Sequence, residues 1–299
     1  MKITVNMQQG GKSMKYLIFG KGGWLAQKFN NFLEDSYISD VDITDLPAIR
    51  RELRELNPEI VINAAGKTGR PNIDWCEDHK AETIAANLTG PLNIKLACCE
   101  RDIYWMHLSS GCIFQGSGPY GKGFMEYDKA TPPSFYSWTK YWADTVLNNF
   151  PVLIVRLRLP IDTEPNPRNL INKLIKYPKV IDSENSVTVI PDFLYATKAL
   201  MEKRKTGIYH VVNPGTISPS RIMELYTEII DPEHRFEVIR DDDLYKQGLA
   251  KAVRSNCVLN TNRLEEEGIS LPVIQTRIKE VLQEYKQHLE SGAMQKIFL

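Results

Sequence analysis

Short apolar runs alternate along this chain with longer stretches of helical periodicity. Lys15-Tyr-Leu-Ile-Phe19 is the first run, and the glycines after it mark a turn, so it predicts a buried strand. Gly20-Lys-Gly-Gly-Trp-Leu-Ala26 follows and leads into a helical stretch reaching about Glu34. Tyr37-Ile-Ser39 predicts a second strand and Leu46 to Leu56 a second helix. Glu59-Ile-Val-Ile-Asn63 predicts a third strand, ending in Ala64-Ala65-Gly66. A helix is expected over roughly Ala81–Arg101, and Ile103-Tyr-Trp-Met-His-Leu108 is a strand leading into Ser109-Ser110. After Pro132-Pro133 comes another helix start, then the strand Val152-Leu-Ile-Val155. Strands and helices in alternation, joined by short connections, predict an α/β fold built on a doubly wound parallel Rossmann sheet.

Beyond Pro160 the texture changes. Pro160, Pro165 and Pro167 cluster, and helical patterns near Asn169–Ile175, Pro219–Ile230 and Val273–His288 predict a smaller mixed α/β substrate lobe. Residues 14–160 then form the dinucleotide-binding domain and 161–299 mainly the substrate-binding lobe. Gly207-Ile-Tyr-His-Val-Val212 is read as a strand returning to the main sheet. Residues 1–13 are polar, without the apolar core of a signal peptide, and are expected to be a flexible extension.

Composition narrows the class. Hydrophobic content of 42% and charged content of 25% are those of a globular protein. Lys plus Arg equals Asp plus Glu at 37 each, which argues against a general nucleic-acid binder. No apolar run approaches the ~20 residues of a membrane helix. The five cysteines, Cys76, Cys98, Cys99, Cys112 and Cys257, show no metal-ligand spacing, so no metal is expected. The count is odd and the adjacent Cys98 and Cys99 read as core thiols, which suits a reducing, cytoplasmic compartment.

Gly20, Gly23 and Ala26 form G-x-x-G-x-x-A directly after the first strand. Glycine permits the tight turn and the close approach of backbone to a pyrophosphate. The small third residue lets helix and strand pack, and the helix amino terminus faces the phosphates. The loop Gly20, Lys21, Gly22, Gly23, Trp24 and Leu25 is therefore assigned to a dinucleotide. A carboxylate at Asp40 or Asp42 can accept from a ribose hydroxyl and favour NAD, although a solvated turn is the simpler reading of both. Lys21 can pair with the 2′-phosphate of NADP, so NADP is the expected cofactor and NAD remains possible.

Tyr136 and Lys140 sit one helical turn apart in Ser134-Phe-Tyr-Ser-Trp-Thr-Lys140. Tyrosine alone titrates near ~10. A nearby ammonium is expected to lower that value and make the hydroxyl a usable proton donor, as where hydride reduces a carbonyl. On spacing alone a solvated helix face is the better reading, and the elements upstream of the pair reverse it toward chemistry.

With these elements placed, the chain resembles the extended short-chain dehydrogenase/reductases, and among them the dTDP-4-dehydrorhamnose reductase group. Val41-Asp-Ile-Thr-Asp45 and Ile60-Val-Ile-Asn-Ala-Ala-Gly66 fit that group. Asn63-Ala-Ala-Gly-Lys-Thr-Gly-Arg-Pro-Asn72, Asp74-Trp-Cys-Glu-Asp-His79, Gly111-Cys-Ile-Phe114, Phe135-Tyr-Ser-Trp-Thr-Lys140 and Asn166-Pro-Arg-Asn-Leu-Ile171 resemble the bifunctional UDP-4-keto-6-deoxyglucose 3,5-epimerase/4-reductases more closely. The likeness runs from Met14 to about Leu271. Ala26 in place of a third glycine departs from the pattern.

The resemblance implies NADPH-dependent reduction at C4 of a nucleotide-linked 4-keto-6-deoxyhexose, with a UDP-linked sugar as partner, coupled to epimerisation at C3 and C5. It implies a homodimer through sheet-flanking helices. It places the family's catalytic hydroxyl at Ser110, beside Tyr136, where both donors stabilise charge on the ketone oxygen. Ala64, Ala65, Gly66 and Asn87 join the cofactor side, and Lys140 is to bind the nicotinamide ribose. Epimerisation needs a base and an acid on opposite faces. Cys112 lies two residues past Ser110, on the same side if the backbone is extended, and a thiol ordinarily titrates near ~8.5. Lys179 matches a position that reaches the sugar in relatives, with Lys173 as the fallback. Arg168 and Asn169 open a helix suited to a diphosphate, Arg254 and Asn256 match a substrate-lobe segment, and Thr68, Arg70, Asn72 and Asp74 follow the third strand toward the sugar. A pure 4-reductase and a non-catalytic dinucleotide-binding subunit remain as alternatives.

Overall fold

The computed structural model of the chain describes residues 15–297, with side chains through Ser291. The expected extension 1–13 lies outside them. The strands are β1 (Tyr16–Phe19), β2 (Ser36–Ser39), β3 (Ile60–Asn63), β4 (Tyr104–Ser110), β5 (Leu153–Leu157), β6 (Pro160–Ile161), β7 (Lys179–Ile181), β8 (Asn185–Val189), β9 (Gly207–His210), β10 (Asn213–Ile217) and β11 (Glu237–Ile239). Six form a parallel sheet in the order β2-β1-β3-β4-β5-β9. The order reverses at β1, which opens a crevice at the carboxyl ends of β1 and β3.

Alternation along each strand supplies two cores. Tyr16 and Ile18 of β1 and Ile60 and Ile62 of β3 face one side, packing with Phe29 and Phe193 of the helices Trp24–Phe32 and Ile190–Glu202. Leu17, Phe19 and Val61 face the other, with Ile49, Leu53, Ile94 and Leu147 of the helices Leu46–Leu56, Gly90–Cys99 and Phe135–Leu147. Burial on both faces is why the strands read as unbroken apolar runs. At ~1.5–3 kcal/mol per fully buried large apolar side chain, these layers fix the register of the sheet and so the place of its carboxyl ends.

The second lobe has its own core, including Ile161, Ile171, Val187, Ile222 and Ile278, around the small sheet β10-β8-β6 and the ribbon β11-β7. Its chain crosses back to the main sheet, since β9 pairs in parallel with β5 at the edge and Leu264, Ile269 and Leu271 join the core below it.

Two local departures from the sequence reading matter for the site. The expected helix 81–101 is interrupted by a π turn, Ala85–Thr89, which turns Asn87 inward. Wide turns of this kind concentrate near functional sites. Ser110 ends β4, and Gly111–Ile113 is a tight 3₁₀ turn rather than continued strand. The extended-backbone argument for Cys112 therefore does not hold.

Candidate active site

The loop after β1 is shaped to take an extended anionic group. Gly20 has φ +118°, and a Cβ there would stand 2.8 Å from the Ala65 nitrogen. Only glycine lets the β1 and β3 loops touch. The Gly23 N–H closes the turn onto the Gly20 carbonyl at 2.7 Å. Gly23 is also the N-cap of the Trp24 helix, and no side chain caps it. Its first-turn N–H groups are open to an anion. A Cβ on Gly22 would meet nothing within 4 Å, so this face of the turn is open. Ala64 and Ala65 are half-buried and Gly66 exposed along the facing loop. A dinucleotide fits this arrangement.

Three residues expected to contact the cofactor are otherwise engaged. Lys21 forms an exposed ion pair with Asp40. The Asp42 carboxylate accepts from both the amide and the hydroxyl of Thr44 at 2.8 Å, which holds it below the usual carboxylate range. It builds a turn before the next helix. Asn87 accepts from the Lys67 N–H at 2.7 Å and donates to the Lys67 carbonyl and to Thr139. Both ends of its amide thus hold the loop after β3 against the Phe135 helix.

Ser134 caps that helix, its hydroxyl accepting from the Ser137 N–H at 3.2 Å, and this sets Tyr136 in the first turn. Tyr136 is 8% exposed and Ser110 6%, and their hydroxyls interact. The Ser110 hydroxyl also accepts from the Cys112 N–H at 3.1 Å, which is how the turn keeps Cys112 close. Burial pushes the Tyr136 phenol above its ordinary value, the Cys112 sulfur adds to this, and Ser110 opposes it. The expected lowering by Lys140 does not occur, and the lysine amine bonds groups of β4. Lys140 donates to the Leu108 carbonyl at 2.7 Å and lies 3.3 Å from His107 Nε2.

A chain of hydrogen bonds behind Lys140 has a defined direction. The Ala65 N–H donates to Asn63 Oδ1 at 3.1 Å, so the Asn63 amide nitrogen faces His107 Nδ1, also at 3.1 Å. That ring nitrogen must accept. Burial keeps His107 neutral, so its proton sits on Nε2, facing Lys140. This geometry suits a Lys140 amine able to accept, and burial lowers Lys140 to about 8, with Asp144 opposing.

The remaining predicted residues divide. Lys179 is engaged by the second lobe, donating to Gln247 Oε1 at 2.8 Å beside Glu237. It lies on the short β7–β11 ribbon, paired with Glu237. The fallback Lys173 is the better placed: burial lowers it, Arg168 lowers it further, and the Cys112 sulfur opposes them. Asp74 and Arg254 form a two-pronged ion pair at 2.8 and 2.9 Å, joining the β3 loop to the second lobe. Asn72 caps the Asp74 N–H at 2.9 Å. Asn169 is fully buried and bonds Asp162, Glu164 and Ile171 backbone, so it is framework rather than a ligand contact. Its helix, Leu170–Leu174, is a single short turn without a useful dipole. Asn256 is likewise spent on Asn185 and Asp241. Thr68 and Arg70 are exposed and Arg168 half-buried.

Two site residues escaped the sequence reading. His107 is a polar residue in an otherwise apolar strand pattern. Arg158 follows a strand whose apolar run gives way to Arg156-Leu-Arg158, and its Nη1 donates to Cys112 Sγ at 2.9 Å. Charge at the end of a buried strand was the available signal.

The model of the RmlD substrate binding domain matches residues 14–287. A bifunctional dTDP-4-dehydrorhamnose 3,5-epimerase/dTDP-4-dehydrorhamnose reductase of Arabidopsis thaliana is 36% identical, over 85% of this chain and 88% of that protein. The crystal structure of the L780 UDP-rhamnose synthase from Acanthamoeba polyphaga mimivirus superposes with a TM-score of 0.85 at 31% identity, covering 91% of this chain and 99% of that one. A dTDP-4-dehydrorhamnose reductase from Bacillus anthracis, solved with NADP, shares the fold at 21% identity, with a TM-score of 0.75 over 93% of this chain and 99% of that one. The chain spans only about two fifths, 41% and 40%, of two trifunctional UDP-glucose 4,6-dehydratase/UDP-4-keto-6-deoxy-D-glucose 3,5-epimerase/UDP-4-keto-L-rhamnose-reductases of Arabidopsis thaliana that it also matches.

Proposed function

Since the chain belongs to the RmlD substrate binding domain family, we propose that it reduces the C4 ketone of a nucleotide-linked 4-keto-6-deoxyhexose with NADPH. Epimerisation at C3 and C5 precedes that reduction, and UDP-L-rhamnose is the product. The observation that carries this reading is the meeting of Ser110, Tyr136 and Cys112 at the end of β4, next to the crevice and its open glycine loop.

NADPH, bound along that loop, supplies the hydride. Ser110 and Tyr136 donate to the ketone oxygen and stabilise the charge that grows there. Tyr136 keeps its proton in the resting site because burial disfavours the phenolate. The alkoxide formed at C4 is a stronger base than phenolate, so the phenol proton moves to it. Lys140 titrates near neutrality one turn along the helix, with His107 behind it.

The same two donors serve epimerisation. Protons on C3 and C5 are alpha to the ketone, and their removal puts charge on the oxygen already held. Cys112 acts on one face, and Lys173 carries the second proton. Arg168 and the exposed Thr68 and Arg70 border the open side, where a nucleotide diphosphate and sugar are held. A homodimer belongs to this reading. Leu96, Trp138, Trp142 and Val146 leave apolar surface exposed on the two sheet-flanking helices.

The test mixes the protein with UDP-4-keto-6-deoxyglucose and NADPH, following absorbance at 340 nm and product stereochemistry. UDP-L-rhamnose is expected, with NADPH used more efficiently than NADH. NADPH consumption only with pre-epimerised substrate reduces the reading to a 4-reductase, and no consumption with either substrate removes it.

A further inference from the structure

Arg158 is 2% exposed, at the carboxyl end of β5. Its Nη1 donates to Cys112 Sγ at 2.9 Å, and its Nη2 donates to Asn185 Oδ1 at 2.5 Å and to the Ser255 carbonyl. Its Nε has no hydrogen-bond partner among the described residues, and no carboxylate there pairs with it. A buried guanidinium without an anion is costly, by several kcal/mol for an unpaired ion. Contrast Arg156, two residues earlier on the same strand, which bonds the buried Asp144 carboxylate at 2.8 Å. The strand thus buries two arginines and gives a carboxylate to only one.

We propose that Arg158 is the fixed counter-charge of Cys112 in its thiolate form, and that it makes this sulfur the base of the C3/C5 epimerisation. This rests on the epimerase half of the function proposed above. Two sulfurs lie near the guanidinium, and hydrogen-bond geometry separates them. Cys257 is fully buried and its S–H donates to the Gly111 carbonyl at 3.2 Å, so it needs its proton. Cys112 is half-buried, faces the site, and accepts from Arg158. The other titratable groups acting with Cys112 are Tyr136 on the Phe135 helix and Lys173 on the Leu170 helix.

The thiolate takes a proton from C3 or C5, forming S–H. The C–H electron pair becomes the carbon–carbon double bond of the enolate, and the charge moves to the C4 oxygen held by Ser110 and Tyr136. An ammonium proton from Lys173 returns to the same carbon on the opposite face and restores the ketone. The thiol proton then passes to the Lys173 amine through solvent, which resets both groups. Arg158 touches neither substrate nor cofactor in this scheme and is a positioning residue.

The experiment compares wild type, Arg158→Gln, Arg158→Lys and Cys257→Ala. Deuterium entry at C3 and C5 of UDP-4-keto-6-deoxyglucose in D2O without NADPH reads epimerisation. NADPH oxidation with the pre-epimerised 4-keto sugar reads reduction. Arg158→Gln should slow exchange ~10²-fold, at least ~10-fold more than it slows reduction, with Arg158→Lys recovering part of the loss. Cys257→Ala should exchange like wild type. Alkylation by iodoacetamide at pH 7, read by mass spectrometry, adds a measurement independent of the sugar. Cys112 should react ~10-fold faster than the exposed Cys99 in wild type, and no faster than Cys99 in Arg158→Gln. Unchanged alkylation of Cys112 in both Arg158 variants overturns the inference. So does an equal loss of exchange and reduction in both. Wild-type protein with the expected alkylation but no deuterium entry keeps the ion pair and refutes the epimerase role instead.

Discussion

Replacing Lys140 by methionine should make the stability gap between variant and wild type depend on pH in one direction. Lys140 is 4% exposed, and burial lowers it from the ordinary 10.5 to about 8, with Asp144 opposing. Its folded-state value lies below the unfolded one, so between those two pH values the unfolded chain holds the extra proton. Wild-type stability therefore rises with pH from about 8 to 10.5, relative to a protein without the group. At about 1.4 kcal/mol per pH unit, the full change is about 3 kcal/mol. Methionine also removes the donor to the Leu108 carbonyl, a roughly constant cost of about 1–3 kcal/mol. The two nearly cancel below pH 8, so the variant should match wild type there and fall behind by about 3 kcal/mol at high pH. Urea unfolding followed by tryptophan fluorescence at pH 7, 8, 9 and 10 measures the gap. Titrations common to both proteins cancel in the difference. A gap constant to within about 0.5 kcal/mol across the series, or one that shrinks as pH rises, refutes the buried-amine description of this site.

Other substitutions separate the parts of the site. Tyr136→Phe should lower kcat for ketone reduction ~10²–10⁴-fold while NADPH still quenches protein fluorescence, and a loss under tenfold would remove Tyr136 as the proton donor. Gly20→Ala forces a Cβ to 2.8 Å from the Ala65 nitrogen at φ +118°, so NADPH affinity should fall by at least ~10-fold. Unchanged binding and melting temperature would mean that the turn relaxes freely. Lys173→Met should abolish inversion at C3 and C5, whereas Lys179→Met should leave it within ~2-fold of wild type. The reverse ranking would return the second proton carrier to Lys179.

The sheet and its glycine loop were legible because their signals are local. Buried parallel strands need continuous apolar runs, and a turn at Gly20 needs a residue free to take positive φ. The strand starts, the helix Leu46–Leu56 and the return of β9 to the main sheet follow from such patterns. Tyr136 was found from its spacing to Lys140 and Ser110 from motif resemblance, since strand-end and helix-start positions are set by nearby residues such as Ser134.

What the order of residues could not supply was the partner of each polar atom. Asn169 looked like a diphosphate contact, and packing turned it into a buried cap. Lys179 and Lys173 lie six residues apart on the same segment, and only the fold of that segment decided which approaches Cys112. Arg158, His107 and Asn63 meet the site through contacts spanning 33 to 46 residues. Periodicity over one or two turns carries no information at that range. The chain by itself determined where the hydroxyls proposed to grip a ketone oxygen lie. Tertiary packing decided the electrostatics around it, because burial and long-range neighbours set which form each titratable group takes.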